Sequence, residues 1–320
     1  MARFVAHFGP RIGIMMETEV WPNLLAACRE RGVPVILANA RMSRKSARGY
    51  GRFACLTRPA FASLAAVCAQ DRSAVRRLRR LGAPNVALTG NLKFDVVPDP
   101  AKVEEGRAFR TALRGRKVLL WASTREGEEA LLLDALGEDD GSLLVVVPRH
   151  PQRCEEVAAL LAARGLVFAR RSLGETPHAG KRAYLGDTMG EMAFYYAACD
   201  AALIGGSFRR LGGQNLIEAC AAGKPAVLGP HMFNFEEATR QALAAGAALQ
   251  LPDAGEAMRA ARALLGDAGR RARMGAAGLQ LCAAHRGATG RHLALVRGLL
   301  EAAAQAGPAE PAELKARAPG

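Results

Sequence analysis

The seven cysteines of this 320-residue chain include no C-x-x-C pair, which speaks against a zinc site and against a redox motif. Cys28, Cys55, Cys68, Cys154, Cys199, Cys220 and Cys282 are scattered, several inside apolar runs such as LAAVCAQ and IEACAAG. They read as reduced, buried thiols in a cytosolic chain. No apolar run approaches the roughly 20 residues of a membrane span, and the N-terminus lacks a signal-peptide pattern. The chain is therefore expected not to cross a membrane by itself. No repeat period is visible. Aromatics make up only 5% of the residues and do not alternate with the arginines, so the stacking platforms of a nucleic-acid binder are missing. Also missing is a G-x-G-x-x-G fingerprint with an acidic residue at the dinucleotide spacing, which disfavours NAD.

What is present is a composition half hydrophobic and rich in Ala, Leu and Gly, with a net charge of +14. The first feature points to a helix-rich α/β chain with ample core. The second points to an anionic partner: a phosphorylated substrate, an acidic membrane surface or nucleic acid. A genome that favours arginine codons is the bland alternative. Apolar runs alternate with amphipathic segments, the pattern of parallel βαβ units. Candidate strands lie at 12–16, 33–39, 64–69 and 86–90. VVPDP, Val96 to Pro100, then breaks the alternation. Beyond it the pattern restarts with about six strands, from KVLLWAS to AALQL, closed by helical segments 256–266 and 269–302. The expected division is a domain over 1–95, a linker over 96–102, a complete doubly wound domain over 103–305 and a disordered Pro-rich tail over 306–320. With four strands and barely a lead-in before the first, the opening domain is expected to be incomplete, the chain beginning in mid-domain.

In open α/β sheets ligands bind beyond the carboxyl ends of strands. After LLVVV come Pro148, Arg149, His150 and Pro151, a cation and an imidazole held between prolines; a solvated basic loop is the structural alternative. After AYLG, Asp187 or Thr188 can cap a helix beginning near Met189, with Gly190 allowing close approach; a plain N-cap explains the same letters. After AALI comes GGSFRRLGGQNLIEA. Gly205, Gly206, Gly212 and Gly213 let the backbone adopt φ > 0 and approach a ligand, and Asn215 opens a helix whose positive end suits a phosphate. Glu218, one turn in, suits ribose hydroxyls. Structural glycine turns are the alternative here. In the first half Glu17 and Glu19 stand just beyond a strand, ahead of Trp21 and Pro22. They are placed to position or deprotonate a hydroxyl, or merely to complement a helix dipole. Lys93 follows the fourth strand, and Ser123 and Thr124 are candidate helix caps. Arg41, Arg44, Lys45, Arg48 and Arg52 crowd one segment, and Arg72, Arg76 and Arg80 line one helix face. These are phosphate- or membrane-facing candidates, or an ordinary solvated face.

Taken in order, METEVWPNLL, ANARMSRKS, TGNLKFD, ASTREGEE, VPRHPQR, GDTMGEM, GGSFRRLGGQNLIEA and GPHMFNFEE resemble the bacterial 3-deoxy-D-manno-octulosonic acid (Kdo) transferases of lipopolysaccharide synthesis. The eight motifs run from residue 16 to 237. The resemblance implies a GT-B fold, two Rossmann-like domains facing a cleft, with no cofactor and no catalytic metal. It implies CMP-Kdo as donor and a lipid A precursor (lipid IVA) as acceptor, at the cytoplasmic face of the inner membrane. Pro148, Arg149, Met189, Gly190, Glu191, Asn215, Leu216, Ile217 and Glu218 would contact the CMP. Ser123, Thr124, Gly206, Ser207, Gly212, Gly213 and Gln214 would form the surrounding donor loops. Glu17 or Glu19, with Lys93, would stabilise charge during an inverting transfer, and Arg41, Arg44, Lys45 and Arg48 would face acceptor or membrane. Members of this family carry an anchoring segment and a half-domain, with a glycine–glutamate motif supplying the general base, ahead of METE. The expectation is thus a truncated chain that keeps the donor site but lacks the base and most of the acceptor surface. Arg125 and Gln214 stand where histidine is common, Leu216 where proline is common, and Arg209 and Arg210 replace less charged residues. Competing readings are a GT-B transferase for another nucleotide sugar, and a non-catalytic nucleotide- or lipid A-binding module.

Overall fold

The computed structural model describes residues 1–178 and 180–305, and the chain divides into two compact units. The first unit takes Met1–Asp95 together with the described residues from His285 to Gln305; the second takes Val96–Ala284. The tail expected over 306–320 lies outside the described residues.

The first unit is a four-stranded parallel sheet: β1 (Gly13–Met16), β2 (Val35–Ala40), β3 (Ala66–Ala69) and β4 (Val86–Leu88), in that spatial order. All four candidate strands form, within two residues of their expected bounds. The helices of this unit up to β4 are α1 (Ala2–Phe8), α2 (Pro22–Glu30), α3 (Arg44–Arg52), α4 (Ala54–Ala62) and α5 (Arg72–Arg80). Each crossover steps one strand in the same direction, so right-handed connections put their helices on one face. Leu25, Phe61 and Leu78 pack there against Leu37 and Val67, each large side chain contributing about 1.5–3 kcal/mol by leaving water. The other face, Ile36, Ala66 and Cys68, packs against Leu295, Val296 and Leu299 of the closing helix Ala288–Gln305. Cover on both faces is why β2 is buried along its whole length and reads as a continuous apolar run.

That closing helix corrects the expected domain boundaries, since it belongs to the first unit and not to the domain over 103–305. The expected 269–302 helix is two helices, Ala268–His285 and Ala288–Gln305. The break holds Gly287 at φ +88°, and Asp95 fastens it by accepting from the Gly287 N–H at 2.7 Å and from the Thr289 N–H. The linker shrinks too: a helix starts at Pro100, capped by Asp99 accepting from the Ala101 N–H at 2.9 Å. Helix α1, ahead of the first strand, was not anticipated. Six cysteines are buried, but Cys55 is exposed.

Among the described residues the second unit has seven parallel strands where about six were expected: β5 (Val118–Thr124), β6 (Leu143–Pro148), β7 (Phe168–Arg170), β8 (Ala183–Leu185), β9 (Ala201–Ile204), β10 (Ala226–Leu228) and β11 (Ala248–Gln250). Their spatial order is β11-β10-β9-β5-β6-β8-β7. The chain winds outward from β5 on one side, then returns to lay β9 against its other edge. The topological switch therefore falls between β5 and β9, where doubly wound sheets bind ligands.

Charge separates the two units. Residues 1–95 carry sixteen Lys and Arg against five Asp and Glu, whereas residues 96–284 carry twenty-three against twenty-two. Among the described residues no helix is long and apolar enough to cross a membrane.

Candidate functional site

The switch point of the second unit is built around a carboxylate that the sequence reading did not single out. Glu128, fully buried, accepts hydrogen bonds from the N–H groups of Gly206, of Phe208 at 2.8 Å and of Arg125 at 2.9 Å. It thereby ties the loop after β5 to the loop after β9. Burial pushes its pKa up, against the pull of those three N–H groups. The neighbouring Glu129 makes a buried two-pronged pair with Arg153 at 2.8 and 3.0 Å. The second arginine of PRHPQR thus turns inward, while Arg149 stays exposed.

Ser123 and Thr124 do not cap a helix, contrary to expectation. The next helix, Glu128–Asp134, starts from Gly127 without a side-chain cap bond. Ser123 instead takes a left-handed backbone, φ 57°, and Thr124 is buried, its carbonyl accepting from the Arg149 N–H at 2.9 Å. The glycine loop needs correction as well. Gly206, Gly212 and Gly213 do have positive φ, but Gly205 does not. The close approach that they permit is to the protein itself. A Cβ on Gly205 would lie 2.2 Å from the Ser123 carbonyl oxygen, one on Gly212 would lie 2.1 Å from Asn234 Nδ2, and one on Gly213 would lie 2.3 Å from Met232 Sδ. Ser207 is buried too, its hydroxyl donating to the Ile204 carbonyl and accepting from the Gly229 N–H at 2.8 Å. Gln214 is half-buried, its N–H bonded to the Gly205 carbonyl at 2.9 Å.

Asn215 does open a helix, Leu216–Ala221, and its Oδ1 accepts from the Ile217 N–H at 3.2 Å. Its Nδ2 donates to Glu218 Oε1 at 2.9 Å. Leu216 and Ile217 are core residues, so only their backbone is on offer. Glu218 is half-buried. Desolvation raises its pKa, opposed by the Asn215 hydrogen bond and the positive charge of Arg149. Arg149 forms no ion pair among the described residues. A carboxylate held by Asn215 therefore lies within the field of an available guanidinium, at the ends of β6 and β9.

The loop after β8 departs from expectation. The helix begins at Met192, and neither Asp187 nor Thr188 caps it. Asp187 accepts from the Ser172 N–H and hydroxyl and from Arg170 at 2.7–2.8 Å. These bonds hold it below the usual carboxylate range despite burial. Glu191 pairs with Arg171 at 2.7 Å and Lys102 at 3.1 Å and accepts from the Thr188 hydroxyl. Arg171 above all lowers its pKa to about 2. Between these anchors Met189 is exposed, and Gly190, φ +77°, has open space where a Cβ would point.

In the first unit the structure separates the two glutamates that the sequence left open. Glu17 has φ 57° at the end of β1, a conformation that costs a non-glycine residue about 1–3 kcal/mol. It pairs with Arg41 at 3.1 Å and Lys93 at 3.2 Å. Arg41 therefore belongs with Glu17 and Lys93 at the strand ends, apart from the exposed Arg44, Lys45 and Arg48. Glu19 is exposed, with no ion pair among the described residues. Buried Asn39, φ 49°, supports this group: its Oδ1 accepts from the Leu92 N–H at 3.1 Å, fixing the turn that carries Lys93. The Asn39 N–H donates to His292 Nε2 at 2.9 Å.

Two Rossmann-like units in one chain define the class. The fold matches HepE from Anabaena in complex with UDP, with a TM-score of 0.59 over 95% of this chain and 82% of that one. It matches a glycosyltransferase from Rickettsia africae, with a TM-score of 0.59 over 95% and 79%. At 13% and 12% identity these likenesses concern the fold: that of a GT-B glycosyltransferase. Sequence takes the assignment further. The family model described as 3-deoxy-D-manno-octulosonic-acid transferase (kdotransferase) matches residues 1–96. A 3-deoxy-D-manno-octulosonic acid transferase from Bordetella pertussis is 50% identical over 91% of this chain and 70% of its own length. The Haemophilus influenzae enzyme of the same name is 36% identical over 93% and 72%. The C-terminal CMP-Kdo binding domain of WaaA from Acinetobacter baumannii matches 57% of this chain and 98% of that domain, at 30% identity and a TM-score of 0.55. The chain belongs to the Kdo transferase family.

Proposed function

We propose that this chain moves Kdo from CMP-Kdo to a hydroxyl of a lipid A precursor (lipid IVA), inverting the transferred carbon without a metal ion. The observation that carries the reading is Glu218, held by Asn215 in the loop and helix after β9 and lying in the field of Arg149 at the end of β6. Arg149 is assigned to the CMP phosphate, whose charge grows as the sugar–oxygen bond breaks and its electron pair leaves with CMP. Glu218, oriented by Asn215, accepts from the ribose hydroxyls. The backbone of Met189 to Glu191, pinned by the Arg171 and Lys102 pairs, faces the base. The likeness to a CMP-Kdo binding domain supports a cytidine nucleotide; that domain spans 57% of the chain, more than the first unit alone could supply. From the first unit Lys93, held by Glu17, is assigned to stabilising charge during transfer, while the acceptor hydroxyl gives its proton to a base.

The charge excess of residues 1–95 and the exposed Phe4, Phe8, Phe53 and Leu56 support assigning the chain a peripheral seat at the cytoplasmic face of the inner membrane. Calorimetric titration with CMP and with UDP tests the donor assignment. CMP is expected to bind at least about tenfold tighter, roughly 1.4 kcal/mol; equal or preferred UDP binding overturns it. Incubation with CMP-Kdo and lipid A precursor then reads the transfer itself.

A further inference from the structure

Helices α3 and α5 leave an open cleft of about 420 Å³ lined by Arg44, Arg48, Ser73, Arg76, Arg77 and Arg80. Arg77 is fixed, its guanidinium donating to the Met42 carbonyl at 2.6 Å, which ties α5 to the turn before α3 and sets the two walls. Among the described residues, none of Arg44, Arg48, Arg76 and Arg80 forms an ion pair. Asp71, the acid closest in sequence, is turned to the backbone, where its Oδ1 caps α5 by accepting from the Ser73 and Ala74 N–H groups at 2.7 and 2.8 Å.

Core packing does not ask for Arg44, Arg48 or Arg76, whereas Arg77 ties α5 to the Met42 turn and, with Arg80, complements the C-terminus of α5. Helix α5 fully buries only Ala74 and Leu78, and α3 fully buries no residue, packing half-buried Ala47 and Tyr50 against the core. Arg44, Lys45 and Arg72 sit in first turns, where the helix dipole disfavours positive charge. Arg44 with Arg48, and Arg72 with Arg76 and Arg80, repeat like charges at i, i+4, which weakens a helix. An anion bound in the cleft offsets the repulsion among the arginines that line it.

We propose that this cleft is a phosphate subsite, distinct from the Glu17–Lys93 group, that takes the phosphate monoester of a lipid headgroup at a membrane surface. A monoester dianion offers three terminal oxygens to converging guanidiniums, which bind phosphate in a planar, two-pronged manner that a solvated lysine does not match. The cleft has room for the phosphate and the small polyol carrying it. The lipid source rests on the residues just past α3. Exposed Arg52 leads into Phe53 and Leu56, 66% and 61% exposed, and large apolar side chains beside cations are the pattern of a membrane interface. Tyr50 of α3 also donates to the Thr18 carbonyl at 3.0 Å, so the same helix borders the cleft and the loop carrying Glu17. Only the lipid source leans on the proposed transferase reading; the anion site stands on its own geometry.

The test is sedimentation of the full chain with phosphatidylcholine vesicles carrying phosphatidic acid, a monoester, or phosphatidylglycerol, a diester. Surface charge is matched, at about 150 mM salt so that distant charges are screened. The wild-type chain is expected to bind the monoester vesicles at least about tenfold tighter. Arg76→Gln with Arg80→Gln should abolish that preference while leaving CMP affinity unchanged and Tm no lower than that of the wild-type chain. Soluble glycerol 3-phosphate should bind at least about tenfold more weakly than the vesicles. Equal binding of the two vesicle types, or an unaltered double variant, overturns the subsite. Glycerol 3-phosphate binding as tightly as the vesicles overturns the lipid source. None of these readings uses CMP-Kdo, so a failure of the transfer reaction leaves them intact.

Discussion

Across residues 96–284 acids and bases nearly balance, and carboxylates at the strand ends are held from within: Glu128 by three N–H groups, Glu129 by Arg153, Glu191 by Arg171 and Lys102. Across residues 1–95 cations outnumber acids about three to one, and the arginine cleft keeps most of its guanidiniums unneutralised. The contrast fits what the proposed transfer would ask of its donor and acceptor halves. A donor common to every turnover calls for a site preorganised by internal ion pairs. An acceptor lodged in an anionic surface calls for cations left available to meet it.

The comparison breaks most visibly at its most buried pair. Glu129→Ala strands Arg153 without its main partner and is expected to destabilise the second unit by about 3–5 kcal/mol. Glu17→Ala, acting on a partly exposed group, is expected to cost about 1 kcal/mol or less. Urea unfolding of both variants measures the difference, and similar losses would erase the contrast. Glu128→Gln is next in size. It turns an amide NH2 toward backbone N–H groups, so about 1–3 kcal/mol of stability should go, together with about tenfold of CMP affinity, because the loops after β5 and β9 come untied. Unchanged CMP binding in that variant would show that the loops do not shape the donor site. The smallest effect is one of pH. Glu191 is depressed to about 2, chiefly by Arg171, so its contribution is present above the ordinary carboxylate range and lost as pH falls toward 2. Stability curves of wild type and Glu191→Gln should therefore converge with acid; a constant gap from neutral pH to about 2 contradicts the assignment.

Much of this was legible in the sequence because buried parallel strands are apolar runs. VILANA and LLVVVP look the same whether read as letters or as burial. Positive φ at Gly206, Gly212 and Gly213 was also readable, since glycine pairs in loops have few other uses. What stands beside those glycines was not, for Asn234 and Met232 reach them from beyond the next strand. The same holds for the anchoring carboxylate and the buried asparagine: Glu128 meets the glycine loop 78 and 80 residues away, and Asn39 meets His292 253 residues away. No local pattern signals such partners. The return of the closing helix to the first unit is another long-range packing choice, made by Leu295 and Leu299 against β2 and β3.

The proposed function stands or falls on a division of labour, with CMP binding assigned to Glu218 in the second unit and the chemistry of transfer to Lys93 in the first. Calorimetric CMP titration of Glu218→Ala and Lys93→Ala, each paired with its rate of Kdo transfer, tests this directly. Glu218→Ala should weaken CMP binding by at least about tenfold, whereas Lys93→Ala should keep wild-type CMP affinity and lose about a hundredfold in transfer rate. CMP affinity untouched by Glu218→Ala, or lost in Lys93→Ala, would contradict it.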